Sequence, residues 1–244
     1  MTFKSPQTLK TIAELIGAKY VGDENFQIFG TNEIHRVKKG EIVFVNHPKY
    51  YDKALHSEAT DNNLSIGENC KIHPSVIIGN DVKIGDNCMI FPNVVIGDRT
   101  EIGNNCVIQS GTVLGGDAFY YNKNAEGFRK MLSVGNVIIE NNVEIGNLCT
   151  IDRGVTDSTI IGAGSILDNQ IQIGHDTVIG KKVLIASQTG IAGCCIIEDE
   201  VTIWGQVGIA SGVTIESGTV LLAKCGVNRN LKKGTYFGPI AEEF

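Results

Sequence analysis

An aliphatic residue returns at every sixth position through most of this chain, and this repeat limits the possible folds more than any other feature. A period of six matches neither the period of an amphipathic helix nor the strict alternation of a hairpin sheet. It predicts short strands separated by corners, with three strands closing one coil of 18 residues and stacked coils pairing as parallel strands about 4.8 Å apart. The 24 repeated positions are Ile66, Ile72, Ile78, Ile84, Ile90, Ile96, Ile102, Ile108, Leu114, Ile139, Ile145, Ile151, Ile161, Leu167, Ile173, Ile179, Ile185, Ile191, Ile197, Ile203, Ile209, Ile215, Leu221 and Val227.

The residues between the aliphatics fit corners. Glycine often follows the aliphatic directly, as at Gly67 and Gly174, and we expect it to adopt the unusual backbone angles of a tight corner. Asp, Asn and Glu, which favour turns, fill many of the next two positions. The repeat breaks at residues 116–136 and 152–159. Long excursions from a rigid scaffold often carry function, although a tolerated insertion is the simpler explanation of each.

Composition narrows the class of partner. The 244 residues carry a net charge of −6, which argues against nucleic acid or an anionic membrane as the main partner. The first residues lack the apolar stretch of a signal peptide, and no apolar run is long enough to span a membrane. We therefore expect a cytoplasmic protein with no transmembrane segment.

Six of the seven cysteines occupy the small position two residues before an aliphatic, where they would pack as small buried hydrophobes. The adjacent pair Cys194–Cys195 would point in alternating directions on a strand and would not bridge easily. Neither a CxxC motif nor a Cys/His cluster suggests zinc. These features predict structural thiols in a reducing compartment. The six are Cys70, Cys88, Cys106, Cys149, Cys195 and Cys225.

The first 60 residues differ from the repeat and predict a small α+β unit. Apolar residues at helical spacing begin near Ser5 and Thr8, either of which could cap a helix. Further along, Phe44, His47 and Tyr50 lie close together in the segment FVNHPKYY. Spacing alone leaves two alternatives open for these aromatic residues, which either stack on a planar base or fill a small core.

His175 is the main candidate for catalysis, because it occupies a corner position that Asp, Asn or Glu fills elsewhere. We expect its imidazole to project outward, where the neutral ring can accept a proton near pH 7. The preceding hexad places Asp168 and Asn169 near that corner, where they could orient the ring or bind substrate. The alternative is that His175 is an ordinary exposed surface residue.

Several segments resemble a known family. The hexads are similar to those of left-handed β-helix acyltransferases, which are homotrimers with active sites in the clefts between subunits. More narrowly, the chain resembles the UDP-3-O-(3-hydroxyacyl)glucosamine N-acyltransferases of lipid A biosynthesis. The matching segments are GGDAFYY, IENNVEIGNLCTIDRG, LDNQIQIGHD, IASQTGIAG and, in the N-terminal unit, FVNHPKYY.

This resemblance implies a reaction. His175 would act as the general base that takes a proton from the glucosamine 2-amine, while that nitrogen attacks the thioester of a 3-hydroxyacyl-acyl carrier protein. The backbone N–H of Gly193 would hold the oxyanion, and Asp168 would orient His175. The resemblance implies no metal and no tightly bound cofactor, because the thioester is already activated.

The resemblance also implies a substrate-binding set and three domains. Residues 1–60 would form a shortened uridine-binding domain, residues 61–230 the β-helix acyltransferase domain, and residues 231–244 a C-terminal tail. The substrate-binding residues would be Asn169, Asp152, Arg153, Phe44, His47 and Tyr50.

Two other functions remain open from the sequence. One keeps the fold and changes the substrates, as in an acetyl-CoA-dependent sugar acetyltransferase. The other is a shortened, non-catalytic relative that binds a ligand or a partner.

Overall fold

The computed structural model describes residues 2–16, 24–31, 41–42 and 64–238. The chain divides into two compact units, Met1–Asn62 and Asn63–Phe244. Phe44, His47 and Tyr50 lie outside the described residues, so their contact with uracil stays a prediction.

The first unit contains a short helix and three strands among its described residues. A strand, Thr2–Thr8, runs directly into the helix Leu9–Ile16. A second strand, Gln27–Thr31, pairs antiparallel with the first, and the short strand Glu41–Ile42 pairs parallel with the second.

The helix of this unit begins where the sequence predicts. The Thr11 N–H donates to Thr8 Oγ1 at 3.1 Å, which makes Thr8 the N-cap. Ile12 and Ala13 are buried on one side of the helix, and Ile28 is buried on the second strand.

The second unit is a left-handed parallel β-helix, which confirms the fold class that the repeat and the resemblance predict. Its described strands form three parallel sheets, one on each side of the coil. The first face contains Ser65–Ile66, Lys83–Ile84, Glu101–Ile102, Asn136–Ile139, Ser158–Ile161, Val178–Ile179, Ile196–Ile197 and Thr214–Ile215. The second contains Lys71–Ile72, Met89–Ile90, Val107–Ile108, Glu144–Ile145, Ile166–Leu167, Leu184–Ile185, Thr202–Ile203, Val220–Leu221 and Thr235–Tyr236. The third contains Ile77–Ile78, Val95–Ile96, Val113–Gly116, Thr150–Asp152, Gln172–Ile173, Gly190–Ile191, Gly208–Ile209 and Gly226–Val227.

The repeated aliphatics form the core, as predicted. Every one from Ile84 to Val227 is buried. The earlier positions Ile66, Ile72 and Ile78 are less buried, and Ile72 is 36% exposed. They belong to the first coil of the β-helix, which among the described residues has another coil stacked on one side only.

The cysteines in the small positions are packing residues, as predicted. Five of these six are buried and Cys70 is half-buried; all seven cysteines of the chain are described and unpaired. Cys88 is typical, since its Sγ lies 3.0 Å from the carbonyl oxygen of Gly103 on the next coil.

The structure corrects the explanation of the corner glycines. The left-handed residue of a regular corner is the third after the aliphatic, such as Asn69 with φ of 57°. The glycine directly after the aliphatic instead allows the next coil to pack closely against the backbone at this position. A methyl group on Gly67 would lie 2.2 Å from Asp86 Oδ1, the atom that accepts the Glu68 N–H at 2.7 Å.

The C-terminal residues also differ from the prediction of a tail. Leu231 is buried and bridges to Ile215, and Thr235–Tyr236 pairs in parallel with Val220–Leu221. This segment covers the last coil because the apolar end of the stack needs a cap.

Both interruptions of the repeat leave the β-helix at one corner, where the third face connects to the first. We call it the third corner. The first excursion leaves after Val113–Gly116 and folds into an antiparallel hairpin of Tyr121–Asn124 and Gly127–Lys130. The second lies between Thr150–Asp152 and Ser158–Ile161, and His175 and Gly193 occupy this corner in the next two coils.

In the parts of the chain that the structure describes, no helix has the length and apolar character needed to cross a membrane.

Candidate active site

His175 lies at the third corner, between the strands Gln172–Ile173 and Val178–Ile179. Only 8% of the residue is exposed, so it is not the ordinary surface histidine that the sequence left as an alternative. Tyr120 of the first excursion lies over the ring in an edge-on arrangement, with 5.5 Å between ring centroids. The ring lies at the corner, and the first excursion covers it, which the sequence analysis did not predict.

Asp176 fixes the orientation of the imidazole. His175 Nδ1 and Asp176 Oδ2 lie 2.8 Å apart. Burial on its own raises the pKa of the Asp176 carboxyl, but hydrogen bonds from the Val155 N–H and from His175 hold that pKa below its usual value. Because an ionised carboxylate only accepts hydrogen bonds, Nδ1 carries the proton and Nε2 presents its lone pair.

The same carboxylate holds the second excursion in place. Val155 N–H donates to Asp176 Oδ2 at 2.9 Å, while the N–H groups of Thr156 and Asp157 donate to Oδ1 at 3.3 and 3.1 Å. Asp176 thus joins the excursion of one coil to the imidazole of the next.

Gly193 lies against the imidazole from the following coil. A methyl group at this position would lie 2.5 Å from His175 Nε2, so a glycine is required for the ring to sit where it does. The Gly193 N–H has no acceptor within the described part of the chain, while its carbonyl accepts from Gly212 and Ser211. A free N–H beside the imidazole suits an oxyanion donor, and that role stays a prediction.

Asp168 and Asn169 are not partners of His175 within one chain. They occupy the preceding corner of the same coil, because one hexad carries the chain from one corner to the next. Asp168 Oδ2 accepts the Ser187 N–H at 3.2 Å, and Asn169 Oδ1 accepts the Asn147 N–H at 2.7 Å. Within the chain, Asp176 and not Asp168 contacts the imidazole. The predicted role of Asp168 therefore has no support within one chain, and substrate binding by Asn169 stays a prediction.

Asp152 lies one coil before His175, next to Gln172. Gln172 Nε2 donates to Asp152 Oδ2 at 3.0 Å. Burial, with a smaller contribution from the nearby Asp117, raises the pKa of the Asp152 carboxyl to about 6, against the opposing influence of Gln172 and His175. This carboxyl can exchange a proton near neutral pH, a property common at functional sites.

Arg153 forms hydrogen bonds to the strand from which the first excursion leaves. Its Nε donates to the carbonyl of Gly115 at 2.9 Å, and its backbone N–H donates to the carbonyl of Gly116 at 2.8 Å. Arg153 therefore joins the second excursion to the base of the first, and its predicted contact with substrate remains untested.

Cys194, the one cysteine outside the small packing positions of the repeat, also belongs to this corner. It is exposed and has φ of 62°. Its Sγ, one ring nitrogen of His175 and one carboxylate oxygen of Asp176 all lie within 4.8 Å of one another. Burial and the neighbouring Asp176 raise the pKa of this thiol.

A signal for two missed residues was present in the sequence. Residues 18 positions apart share a corner in consecutive coils, which places Cys194 next to Asp176. Tyr120 carried no such signal, because it lies in an excursion that the repeat does not describe.

The comparisons with known proteins agree on the repeat. Residues 63–90 and 81–116 match the family model described as bacterial transferase hexapeptide (six repeats). Over 62 residues the chain is 41% identical to a UDP-3-O-acylglucosamine N-acyltransferase of Alcanivorax borkumensis and 46% identical to one of Rhizobium etli. Each match covers 25% of this chain and 18% of the relative, so the chain matches less than a fifth of the length of these proteins.

Two solved structures extend the likeness over about 70% of this chain. A UDP-N-acetylglucosamine acyltransferase from Bacteroides fragilis is 28% identical, with a TM-score of 0.61 over 72% of this chain and 65% of that one. The enzyme of that name from Campylobacter jejuni is 20% identical, with a TM-score of 0.63 over 70% and 65% of the two chains, and shares the fold.

Proposed function

We propose that this chain is an acyltransferase that moves a 3-hydroxyacyl group from acyl carrier protein to the 2-amine of UDP-3-O-acylglucosamine. The observation that carries the proposal is the third corner, where the first excursion covers an imidazole whose Nδ1 is held by an ionised carboxylate. The second excursion binds that carboxylate through its backbone N–H groups. The names of the curated relatives and the motif resemblance support this pair of substrates.

The proposed reaction uses His175 twice. Nε2 takes a proton from the amine as the amine nitrogen attacks the thioester carbonyl carbon. The Gly193 N–H stabilises the resulting oxyanion. When the C–S bond breaks, the imidazolium returns its proton to the leaving sulfur, so the products are an amide and the free carrier thiol.

Asp176 favours the first proton transfer of the proposed reaction. Its carboxylate keeps the proton on Nδ1 and stabilises the imidazolium that forms after the first proton transfer. The excursion with Tyr120 limits the access of water to the ring, which strengthens the electrostatic interactions within the site. No step requires a metal or a cofactor.

We also propose, from the resemblance alone, that the protein is a cytoplasmic homotrimer. A neighbouring subunit would then complete the cleft at the third corner. In the same proposal Asn169, Asp152 and Arg153 contact the sugar nucleotide, and the N-terminal segment with Phe44, His47 and Tyr50 contacts its uracil.

A second acceptor is favoured by the solved structures, whose names describe transfer to UDP-N-acetylglucosamine. The same base could remove a proton from a sugar hydroxyl. Each acceptor should therefore be assayed with a carrier-protein thioester and with a coenzyme A thioester, with mass spectrometry identifying an amide or an ester product.

The test of the base compares the full chain with His175→Ala. We expect the variant to lose about 10²-fold or more in kcat/KM, the usual contribution of a general base. His73→Ala is the matched control, because His73 stacks on Phe91 in the first coils, away from the third corner. Equal rates for His175→Ala and the unmutated protein would exclude the assignment.

A further inference from the structure

We propose that His175, Asp176 and Cys194 form a binding site for a zinc ion, and that zinc held there prevents His175 from accepting a proton. The three side chains come from two consecutive coils at the third corner, and their donor atoms all lie within 4.8 Å of one another. Zinc binding does not depend on the proposed acyl transfer, whereas its effect on turnover rests on that function.

The distances fit a tetrahedral ion after a small adjustment. Zinc bonds to nitrogen, oxygen and sulfur are about 2.0–2.3 Å long, which places donors of a tetrahedral site about 3.3–3.8 Å apart. His175 Nδ1 and Asp176 Oδ2 are 2.8 Å apart through the hydrogen that they share. Replacing that hydrogen by a metal would separate them slightly, and the exposed side chain of Cys194 can rotate to supply the third ligand.

The donor set and its charge favour zinc over magnesium or calcium. A neutral imidazole, a carboxylate and a thiolate match the ligands of zinc sites, whereas magnesium and calcium prefer oxygen alone. Partial burial opposes ionisation of the Cys194 thiol, and the negative charge of the neighbouring Asp176 opposes it further, so both raise its pKa. A dication relieves this repulsion, and two anionic donors make the charge of the loaded site zero.

The surroundings already provide outer-shell support. Three backbone N–H groups, from Val155, Thr156 and Asp157, orient the carboxylate and would continue to do so with a metal bound. Three protein ligands leave the fourth position for water or for a group on a substrate.

Binding of zinc would silence the base whichever ring nitrogen is the ligand. A metal on Nε2 occupies the lone pair directly. A metal on Nδ1 leaves the proton of the neutral ring on Nε2, so that nitrogen donates a hydrogen bond and no longer accepts a proton. The site therefore predicts reversible inhibition by zinc.

The first experiment measures binding by the full, metal-free chain. Zinc is titrated in competition with a chromophoric chelator for the unmutated protein, Cys194→Ala and Cys70→Ala. Cys70 is a matched control, since it is half-buried in the first coil, away from the third corner. We expect Cys194→Ala to weaken the tightest zinc site by at least about 100-fold, and Cys70→Ala to leave it unchanged.

Cobalt identifies the sulfur ligand directly. The Co²⁺-loaded protein should show a thiolate-to-metal charge-transfer band that persists in Cys70→Ala and is absent in Cys194→Ala. If the unmutated protein binds no zinc, or Cys194→Ala binds it as tightly, the inference is wrong.

A second experiment separates this inference from the proposed function. The acyl-transfer rate of each protein is compared with its own rate after zinc is added and then removed by a chelator. Inhibition that is reversible in the unmutated protein and absent in Cys194→Ala would support the inhibitory role. If no protein turns over even without zinc, the proposed function fails while the binding measurement still decides the metal site.

Discussion

At the scale of single residues, the contact between Gly193 and His175 is the tightest constraint on the site. Gly193→Ala would place a methyl group 2.5 Å from Nε2 and so displace the ring. We expect kcat/KM to fall by about 10²-fold, because a misplacement of about 1 Å can cost that much.

Gly208→Ala is the matched control for this substitution, since Gly208 lies on the third face with open space around the added methyl group. Both variants should unfold at nearly the same temperature. Equal kcat/KM values for the two variants would contradict the role of Gly193.

Asp152 gives a residue-level prediction of pH dependence. Its pKa of about 6 in the folded protein exceeds the ordinary aspartate value of about 3.9. The native state therefore binds more protons between these values, and the stability that Asp152 contributes is lost as the pH rises through about 6. Asp152→Asn should raise the free energy of unfolding at pH 8 by on the order of 1 kcal/mol, with little gain at pH 4.

Urea unfolding of both proteins at the two pH values measures this difference. The asparagine oxygen can still accept from Gln172, so the comparison isolates the charge. A gain of the same size at pH 4 and pH 8 would show that burial does not raise the pKa of this carboxyl.

At the scale of elements, the sequence predicted the strands better than the corners. The aliphatic period located the strands because only one large side chain fits into each side of the narrow core. It did not reveal why Gly67 follows Ile66, since the cause is an aspartate of the next coil. It also linked His175 to the preceding hexad, whereas the contact that matters is with the adjacent Asp176.

The hairpin of the first excursion provides a prediction at the element scale. Its strands pair Tyr121 with Lys130, and the hairpin residues are largely exposed. Replacing residues 122–129 by Asn-Gly should keep this pair and close it with a two-residue turn. We expect the melting temperature to change by less than about 4 °C, because the removed residues contribute little to the core.

Thermal unfolding measures the effect of this shortening. A much larger decrease in the melting temperature would mean that the hairpin stabilises the β-helix. In that case the hairpin would have a structural role in addition to any role in function.

At the scale of the whole β-helix, each coil contacts only its neighbours, so the cost of a cavity depends on position in the stack. Ile145→Ala removes a fully buried side chain and should cost about 2–5 kcal/mol in the free energy of unfolding. Ile72→Ala changes a side chain that is 36% exposed and should cost about 1 kcal/mol or less.

Chemical denaturation of both isoleucine variants tests this gradient. Similar costs at the two positions would mean that the first coil is covered as completely as the middle of the stack.

Each coil of the β-helix adds the same length along its axis. Gaining or losing 18 residues in a regular stretch would lengthen or shorten the β-helix by one coil and leave every later side chain at its original face or corner. A gain or loss of six would instead turn all later residues by a third of a revolution and carry the imidazole away from the two excursions. Evolution can therefore change the length of such a protein by whole coils, while insertions of any other length must leave the β-helix as loops, as both excursions do.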